Sequence, residues 1–366
     1  MLRKLSSPAM SAQATAGPVV RETEIEFSLP DRDGSLAAVA LAHELRRPRR
    51  APFRRRDHRG PWELRLPRPP ASRLEYLLEL TYANGSIALV PDPTNPLRAP
   101  GPFGEKSVVE LPAYEAPAWV DDDASPAGDL EPLEPRTRRV GRVGGLLWSA
   151  HDTDPREPLP LLLVHDGPEY AEYSELPRLL DHLVAFGEVP PLRAALLRPP
   201  RDRNETYSAA NVYARAFAVE ILPGLLERAP TARPPAALGA SLGGLAFLHA
   251  HWLYPGLLGG LFLQSGSFFR RRFDRQEAGF PRFDRISRFV GRVLAGPDRG
   301  APLPVPVTIT CGAAEENLDN NRAVAAALDG AGYPLEYVEH PDAHNWISWR
   351  DVLHPHLAEL LLRAWQ

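Results

Sequence analysis

The segment GASLGG, residues 239–244, constrains the fold of this chain more than any other part of its sequence. It overlaps the end of the apolar run AALGA and opens the run GGLAFLHAHWL, which is typical of a buried helix. A serine on a tight strand-to-helix turn needs glycine two residues away on each side, because the bent backbone leaves no space for side chains there. The pattern therefore predicts that Ser241 lies at the carboxyl end of a strand and just before a helix.

From residue 136 onward, apolar strands alternate with helical runs. Their continuous apolar character indicates strands buried on both faces, so we expect a mostly parallel sheet with helices on both faces. The predicted strands are Gly144–Ser149, Leu159–His165, Arg193–Leu197, Ala236–Ala240, Leu258–Gln264, Val305–Thr310 and Leu335–Glu339. The predicted helices are Ala209–Arg228, Gly243–Leu253, Leu318–Ala331 and a last one that runs to about Trp365.

The N-terminal third has a different pattern. Short runs with period-2 alternation, separated by turn signals, predict an all-β, immunoglobulin-like sandwich over residues 21–115. Residues 116–135 are rich in Pro, Asp and Glu and are expected to be a linker before a catalytic domain at 136–366. Residues 1–20 are expected to form a disordered tail.

Composition excludes several classes of protein. A length of 366 residues suggests two domains, and the formal charge of −4 excludes a generally basic nucleic-acid binder. Cys311 is the only cysteine, so an intrachain disulfide is impossible. There is no apolar run long enough for a secretory signal or a membrane span, and we expect a cytoplasmic protein that does not bind membranes.

A serine hydroxyl needs a base, and the base needs an acid to orient it. In folds built around this turn, the acid and then the histidine follow the serine along the chain. His344 lies just after the last predicted strand, where the base belongs, and is preferred over His340 at the strand end. Glu315 is the first choice for the acid, while Glu316 and Asp319 remain alternatives that would otherwise cap the following helix.

Two backbone N–H groups are candidates for stabilising a developing oxyanion. Leu242 follows Ser241 at the start of the helix, so its N–H points toward negative charge at the serine. The segment VHDGP (164–168) ends an early strand, the usual position of the second donor. Pro168 has no N–H, which makes Gly167 the best candidate. Asp166 is interpreted as a residue that holds this loop in shape.

Several short segments occur together in an order that resembles the putative-esterase family of α/β hydrolases, in its enterochelin esterase-like branch. They are VHDG (164–167), RNETY (203–207), EILP (220–223), GASLGG (239–244), LQSGSFF (263–269), CGAAEENLDNNR (311–322), His344-Asn345 and Trp349. DPTNP (92–96) and SVVELP (107–112) resemble the sandwich domain that precedes such catalytic domains. The resemblance extends over residues 21–366.

The resemblance implies an α/β hydrolase fold with Ser241 as nucleophile, His344 as base, Glu315 as acid, and Gly167 and Leu242 as oxyanion donors. It implies no cofactor and a substrate that is a trilactone of catechol-acylated serine, hydrolysed in the cytoplasm to release iron. Ala343 stands where the family often has Gly, and Asn345 replaces a frequent Asp. Both departures concern the substrate preference of the loop.

Arginines and aromatic residues follow the segment LQSGS. Arg270, Arg271, Arg272 and Phe268 are candidates for holding an anionic, aromatic substrate such as a ferric siderophore. The alternative is a solvated segment whose arginines pair with nearby carboxylates. The sequence contains no metal-binding motif, and we expect no metal site.

The sequence as a whole predicts a serine esterase that forms an acyl-enzyme on a small-molecule ester. A carbohydrate-type acetyl or feruloyl esterase, a general carboxylesterase, and an acyltransferase with the same catalytic residues are the alternatives. The N-terminal sandwich is expected to act as a lid or as a homodimer element rather than as a glycan-binding module, because it contains few aromatic residues.

Overall fold

The computed structural model describes residues 17–48, 50–55, 57, 60–135, 137–296 and 303–366. Residues 1–16 of the predicted tail (1–20) lie outside the described residues. Val19–Val20, at the end of the predicted tail, forms a short strand. No helix in the described part of the chain is both long and apolar enough to cross a membrane.

Ten strands lie in the described part of the N-terminal region. They are β1 (Val19–Val20), β2 (Glu24–Leu29), β3 (Leu36–His43), β4 (Ala51–Pro52), β5 (Arg54–Arg55), β6 (Trp62–Pro67), β7 (Arg73–Tyr82), β8 (Ile87–Val90), β9 (Arg98–Ala99) and β10 (Lys106–Glu110). One antiparallel sheet has the strand order β1-β2-β6-β5. A second has the order β4-β3-β7-β10-β9, with β8 paired to β7.

The two N-terminal sheets enclose one core. Alternate residues of β2, Ile25 and Phe27, are buried in this core together with Tyr76 and Leu78 of β7. This spacing is what the period-2 pattern predicts, since successive side chains of a strand point to opposite faces. The antiparallel sheets that the sequence predicted are therefore present, whereas their immunoglobulin-like character stays a prediction.

The N-terminal core continues into the rest of the molecule. Ala314 and Ala343, which lie far along the chain, are buried in the same cluster. The Arg46 N–H donates to the Ala314 carbonyl at 2.7 Å, and the Ser72 N–H donates to the Pro341 carbonyl at 2.5 Å. The N-terminal sheets therefore pack directly against two loops at the carboxyl edge of the third sheet.

The third sheet has eight strands. They are β11 (Asp129–Leu133), β12 (Gly145–Ser149), β13 (Leu161–His165), β14 (Arg193–Leu197), β15 (Ala236–Ala240), β16 (Gly260–Gln264), β17 (Val307–Gly312) and β18 (Leu335–His340). Their order is β11-β12-β14-β13-β15-β16-β17-β18. Strand β12 pairs antiparallel with both of its neighbours, β11 and β14. All the other neighbouring strands of this sheet pair parallel.

Ten α-helices accompany this sheet among the described residues. They are α1 (Gly167–Tyr173), α2 (Leu176–Ala185), α3 (Arg203–Tyr207), α4 (Asn211–Ala216), α5 (Leu222–Arg228), α6 (Leu242–Leu253), α7 (Phe283–Leu294), α8 (Leu318–Gly330), α9 (Trp346–Asp351) and α10 (His356–Ala364). A π-helical segment, Phe217–Ile221, joins α4 to α5, and 3₁₀ turns lie at Ala118–Asp121 and Arg275–Gly279.

Both faces of the third sheet are buried. In β15, Ala237 belongs to one apolar cluster, while Leu238 belongs to the cluster on the opposite face. This arrangement explains the continuous apolar character of the predicted strands.

The range 116–135, which the sequence suggested to be a linker, contains ordered structure. Trp119 is buried in the second apolar cluster, and β11 is the edge strand of the large sheet. The proposed division of the chain into domains must therefore assign β11 to the C-terminal unit.

Candidate active site

Ser241 occupies the turn between β15 and α6, with a backbone φ of 55°. A Cβ atom added to Gly239 would lie 2.6 Å from the carbonyl carbon of Gly243. A Cβ added to Gly243 would lie 3.1 Å from both Asp166 Oδ2 and His165 Cβ. The two glycines therefore allow the chain to turn sharply enough to present the Ser241 side chain at the sheet edge.

A second serine contacts this position. Ser241 Oγ lies 3.0 Å from Ser267 Oγ, and the Ser267 N–H donates to the Ser241 carbonyl at 3.1 Å. The sequence analysis assigned no role to Ser267, although it lies in the segment LQSGSFF. The one feature of the sequence that could have indicated Ser267 is its position just after the predicted strand Leu258–Gln264, which follows the strand that ends before Ser241.

The structure brings His344 and Glu315 together. His344 Nδ1 lies 2.7 Å from Glu315 Oε2, so the ring can donate to the carboxylate. The other carboxylate oxygen, Oε1, accepts hydrogen bonds from Ser265 Oγ at 2.6 Å and from the Gly312 N–H at 2.5 Å. Glu315 is completely buried, whereas a quarter of the His344 side chain is exposed.

Opposing effects determine the charge of this pair. Burial alone raises the pKa of Glu315, but hydrogen bonds from His344, Ser265 and Gly312 outweigh it and leave the pKa below its usual range. Burial lowers the pKa of His344, and the hydrogen bond and charge of Glu315 more than compensate, so the net pKa is raised. The pair is therefore suited to hold an ionised acid beside a histidine that readily accepts a proton.

Two of the other candidates, Asp319 and His340, have different partners. Asp319 forms ion pairs with Arg46 and, at 3.9 Å, with Arg322. His340 Nε2 lies 2.7 Å from Ser348 Oγ, and burial lowers its pKa to about 4. The geometry therefore favours Glu315 over Asp319 as the partner of His344, while the catalytic roles themselves stay predictions.

The two candidate oxyanion donors are the first residues of two helices. Gly167 begins α1 and Leu242 begins α6, so neither N–H has an acceptor within its own helix. A Cβ on Gly167 would lie 2.2 Å from the Leu196 carbonyl carbon, which restricts this position to glycine. Both N–H groups thus begin helices at the edge where Ser241 lies.

Side chains around Gly167 fix its loop. Asp166, with a φ of 53°, accepts two hydrogen bonds from Arg203, at 2.8 and 2.7 Å. His165 Nδ1 lies 3.0 Å from the Gly243 carbonyl and its Nε2 lies 2.7 Å from Tyr213 Oη. The expectation that Asp166 holds the loop is confirmed by this ion pair. Arg203 pairs with Asp166 rather than with the nearby Glu205, whose carboxylate pairs with Arg285.

A cavity of about 380 Å³ lies over Ser241 and His344. The N-terminal sheets line one side with Glu44 and Lys106, whose carboxylate and ammonium groups are 3.0 Å apart. A neighbouring recess of about 400 Å³ shares Ser241 and His344. The expected role of the N-terminal region as a lid did not identify Glu44 and Lys106, because both lie more than a hundred positions from Ser241.

The predicted substrate-binding residues, Phe268 and the arginines at 270–272, do not line either cavity. Phe268 is fully buried in the core. Arg270 Nη1 donates to the Ser287 carbonyl at 2.7 Å, and Arg271 pairs with Asp284 at 2.6 Å. Arg272 stacks over the Phe273 ring at 5.2 Å. None of these four described residues lines the cavities at Ser241, so the alternative, a segment whose arginines have local partners, describes the structure better.

One group of side chains in the described residues has the geometry of metal ligands. Ligand atoms of Glu336, His356 and Glu359 lie within 4.8 Å of one another. Arg363 donates to Glu336 at 3.2 Å, which places a positive charge beside the same carboxylate. None of these residues lines the cavities at Ser241.

Comparison with known proteins places this site in context. No family model matches the chain. The iron(III) enterobactin esterase of Dickeya dadantii (strain 3937) is 26% identical over 283 residues, covering 71% of this chain and 62% of that protein. The chain resembles the enterobactin esterases. The alignment nevertheless spans less than two thirds of the length of this curated relative.

Solved structures show the same fold. The enterobactin esterase from Shigella flexneri in the presence of enterobactin gives a TM-score of 0.71 at 19% identity, over 97% of each chain. The ferric enterobactin esterase from Salmonella typhimurium gives 0.70 at 19% identity, also over 97% of each chain. A ferulic acid esterase gives 0.53 at 18% identity, over 65% of this chain and 98% of that one. The α/β hydrolase fold expected from the sequence is confirmed.

Proposed function

We propose that this chain is a serine esterase that acts through an acyl-enzyme. The observation that carries the proposal is the bonded pair of His344 and Glu315 in a cavity that Ser241 also lines. The resemblance to enterobactin esterases and the likeness in fold to esterases support it.

In the proposed reaction, Ser241 Oγ attacks the ester carbonyl carbon and gives its proton to Nε2 of His344. Glu315 accepts the hydrogen bond from Nδ1 and so stabilises the imidazolium that forms. The N–H groups of Gly167 and Leu242 stabilise the tetrahedral oxyanion, each contributing roughly 3–4 kcal/mol. His344 returns the proton to the leaving alcohol, and a water molecule then hydrolyses the acyl-enzyme with His344 again as base.

Within this class, we propose a substrate of the enterobactin type, a trilactone whose hydrolysis in the cytoplasm would release iron. The named activity of the Dickeya dadantii relative supports this choice. The N-terminal sheets would act as a wall of the substrate cavity through Glu44 and Lys106, rather than as a separate binding module.

A feruloyl or related carbohydrate esterase is the second candidate, because a ferulic acid esterase shares the fold over 65% of this chain. A panel of ferric and iron-free enterobactin, feruloylated and acetylated sugars, and p-nitrophenyl butyrate separates these substrates. Enterobactin should give the highest kcat/KM. A higher value for a feruloylated sugar would favour the second candidate. Product partition between water and an added alcohol separates a hydrolase from an acyltransferase.

The nucleophile is tested by Ser241→Ala, which should reduce hydrolysis of p-nitrophenyl butyrate to the background rate, because it removes the hydroxyl that forms the acyl-enzyme. The matched control is Ser287→Ala on α7, a serine that lines neither cavity at Ser241. Thermal unfolding of both variants confirms that they are folded. Persisting turnover in the Ser241→Ala protein would refute the mechanism.

A further inference from the structure

A larger cavity, of about 1270 Å³, lies beside the catalytic cavity and shares Phe103 and Arg203 with it. Its lining is unusually basic. It contains two carboxylates, Asp202 and Glu205, against six arginines: Arg139, Arg201, Arg203, Arg285, Arg288 and Arg292.

Three of these arginines have carboxylate partners. Arg139 pairs with Glu220, Arg203 with Asp166, and Arg285 with Glu205. The other three, Arg201, Arg288 and Arg292, are exposed and form no ion pair with any described carboxylate. The cavity therefore presents three positive charges that the protein itself does not neutralise.

Local contacts explain only part of the positions of these arginines, since Arg292 lies over the Phe289 ring at 5.8 Å but Arg201 and Arg288 form no ion pair with a described carboxylate. Arg285, Arg288 and Arg292 have the spacing i, i+3, i+7 on α7, which places them on one face of the helix. Like charges at such spacings destabilise a helix by a few tenths of a kcal/mol. Arg201 reaches the same cavity from a different part of the chain. The high arginine content of the sequence accounts for their number but not for this convergence.

The catalytic cavity offers no such free cation. Three of the four carboxylates in its described lining, those of Glu44, Glu75 and Asp166, are paired with Lys106, Arg73 and Arg203, which leaves the carboxylate of Glu169 and no unpaired lysine or arginine. A strongly anionic group would therefore find no free positive charge next to Ser241 and would be attracted to the neighbouring arginines. The two cavities therefore favour a single orientation of a substrate with one anionic end.

Apolar groups accompany the arginines. Phe103, at the tip of the turn Pro100–Gly104, is completely exposed, and Val212 is 59% exposed. An exposed ring beside guanidinium groups can stack with an aromatic ligand whose charge the arginines bind.

We propose that the arginine-lined cavity binds an anionic aromatic group of the substrate through Arg201, Arg288 and Arg292, while the ester lies at Ser241. The assignment of this group to the substrate rests on the proposed esterase function. The existence of the anion site does not, so the two can be tested separately.

Direct binding tests the site itself. Benzene-1,3,5-tricarboxylate should bind the full-length protein, and 1,3,5-tris(hydroxymethyl)benzene, which has a similar shape but no charge, should not. The double variant Arg288→Gln/Arg292→Gln should weaken binding of the tricarboxylate about tenfold or more, a change equivalent to about 1.4 kcal/mol. Glutamine keeps the helix propensity and removes the like-charge repulsion, so the variant should unfold at the same or a higher temperature. Binding should also weaken as the salt concentration rises.

The control is Arg271→Gln/Arg275→Gln, which removes two exposed arginines that do not line this cavity. It should bind the tricarboxylate like the wild type. Equal loss of binding in both double variants, or no loss in either, would overturn the proposal.

Hydrolysis connects the site to the substrate. The ratio of kcat/KM for ferric enterobactin to that for neutral p-nitrophenyl butyrate should fall about tenfold or more in Arg288→Gln/Arg292→Gln. The tricarboxylate should inhibit hydrolysis of ferric enterobactin competitively. If the wild type hydrolyses neither ester, the proposed function fails while the binding experiment still decides the anion site. If p-nitrophenyl butyrate is hydrolysed and the ratio does not change in the variant, the substrate assignment of this site is wrong.

Discussion

In its fully buried position the carboxylate of Glu315 has four polar partners, one of them the Cys311 thiol at 3.3 Å, and its pKa lies below the usual range. Ser265 and Gly312 saturate one oxygen, which leaves the other for His344. The Trp349 indole N–H donates to Ser265 Oγ at 3.0 Å and so fixes the hydroxyl that binds Glu315. The orientation of the His344 ring therefore depends on side chains that do not touch a substrate themselves.

The raised pKa of His344 predicts the pH dependence of activity. The base must be neutral to accept the proton of Ser241, so kcat/KM should fall as the pH decreases through a value above the ordinary 6.5 of histidine. Glu315→Gln removes the negative partner of the imidazolium, and the midpoint should move to lower pH. It should also reduce kcat about 10³- to 10⁴-fold, by analogy with other triads.

Asp319→Asn is the control for this experiment, because its carboxylate pairs with Arg46 and not with His344. The profile of p-nitrophenyl butyrate hydrolysis against pH should keep its midpoint in this variant. A larger loss in Asp319→Asn than in Glu315→Gln would reverse the assignment of the acid.

At the scale of elements, the turn between β15 and α6 depends on backbone contacts that exclude side chains. Gly239→Ala would bring a Cβ within 2.6 Å of the Gly243 backbone, and we expect a loss of about 1–3 kcal/mol in the free energy of unfolding. Activity should fall more than stability, because the shift moves Ser241. Urea unfolding and p-nitrophenyl butyrate hydrolysis measure the two effects.

The matched control is Gly330→Ala, at the last residue of α8, where an added Cβ meets no atom within 4 Å. This variant should be neutral or more stable by up to about 1 kcal/mol, because alanine reduces the freedom of the unfolded chain. Equal destabilisation by both substitutions would contradict the role assigned to the turn.

The elements that could be predicted are those whose burial determines their sequence pattern. Each predicted strand of the large sheet is present within two residues, because burial on both faces requires a continuous apolar run. The edge strand β11 was missed because its segment DLEPL is exposed at four of its five positions and contains a proline. The helix α7 was missed because four charged residues are interspersed among the few apolar residues of its buried face, so that the helical periodicity is weak in the sequence.

Only those residues of the candidate site that lie in or after a recognisable motif could be predicted from the sequence. Ser241, His344, Glu315 and the N–H donors follow from strand ends and chain order. Glu44 and Lys106 could not be recognised, because their position depends on how the N-terminal sheets dock. For the segment 270–272 the sequence left substrate binding and local pairing both open, and the observed contacts, Arg270 with the Ser287 carbonyl and Arg271 with Asp284, favour local pairing.

At the scale of the whole molecule, the N-terminal core includes Ala314 and Ala343, the residues that precede Glu315 and His344 in the chain. A cavity in this core should therefore affect activity as well as stability. Leu78→Ala, at a fully buried position, should cost about 2–5 kcal/mol. The temperature at which activity is lost should decrease by the same amount as the calorimetric midpoint.

Leu89→Ala is the control, since this leucine of β8 is 57% exposed and its truncation should change stability by less than about 0.5 kcal/mol. Loss of activity at an unchanged temperature in Leu78→Ala, despite a lower calorimetric midpoint, would show that the two regions unfold independently.

The isolated bridge between Leu45 and Glu315 joins the acid of the proposed triad to the N-terminal sheets through the backbone. In protein engineering, the C-terminal region that contains Ser241, Glu315 and His344 cannot be separated from the N-terminal sheets without loss of this contact. A chimera that replaces residues 17–115 by an unrelated domain must rebuild the backbone pairing at Leu45, or Glu315 will lose a neighbour that holds it in place. Substitutions that stabilise the N-terminal core should therefore prolong the active lifetime of the protein as much as substitutions near Ser241.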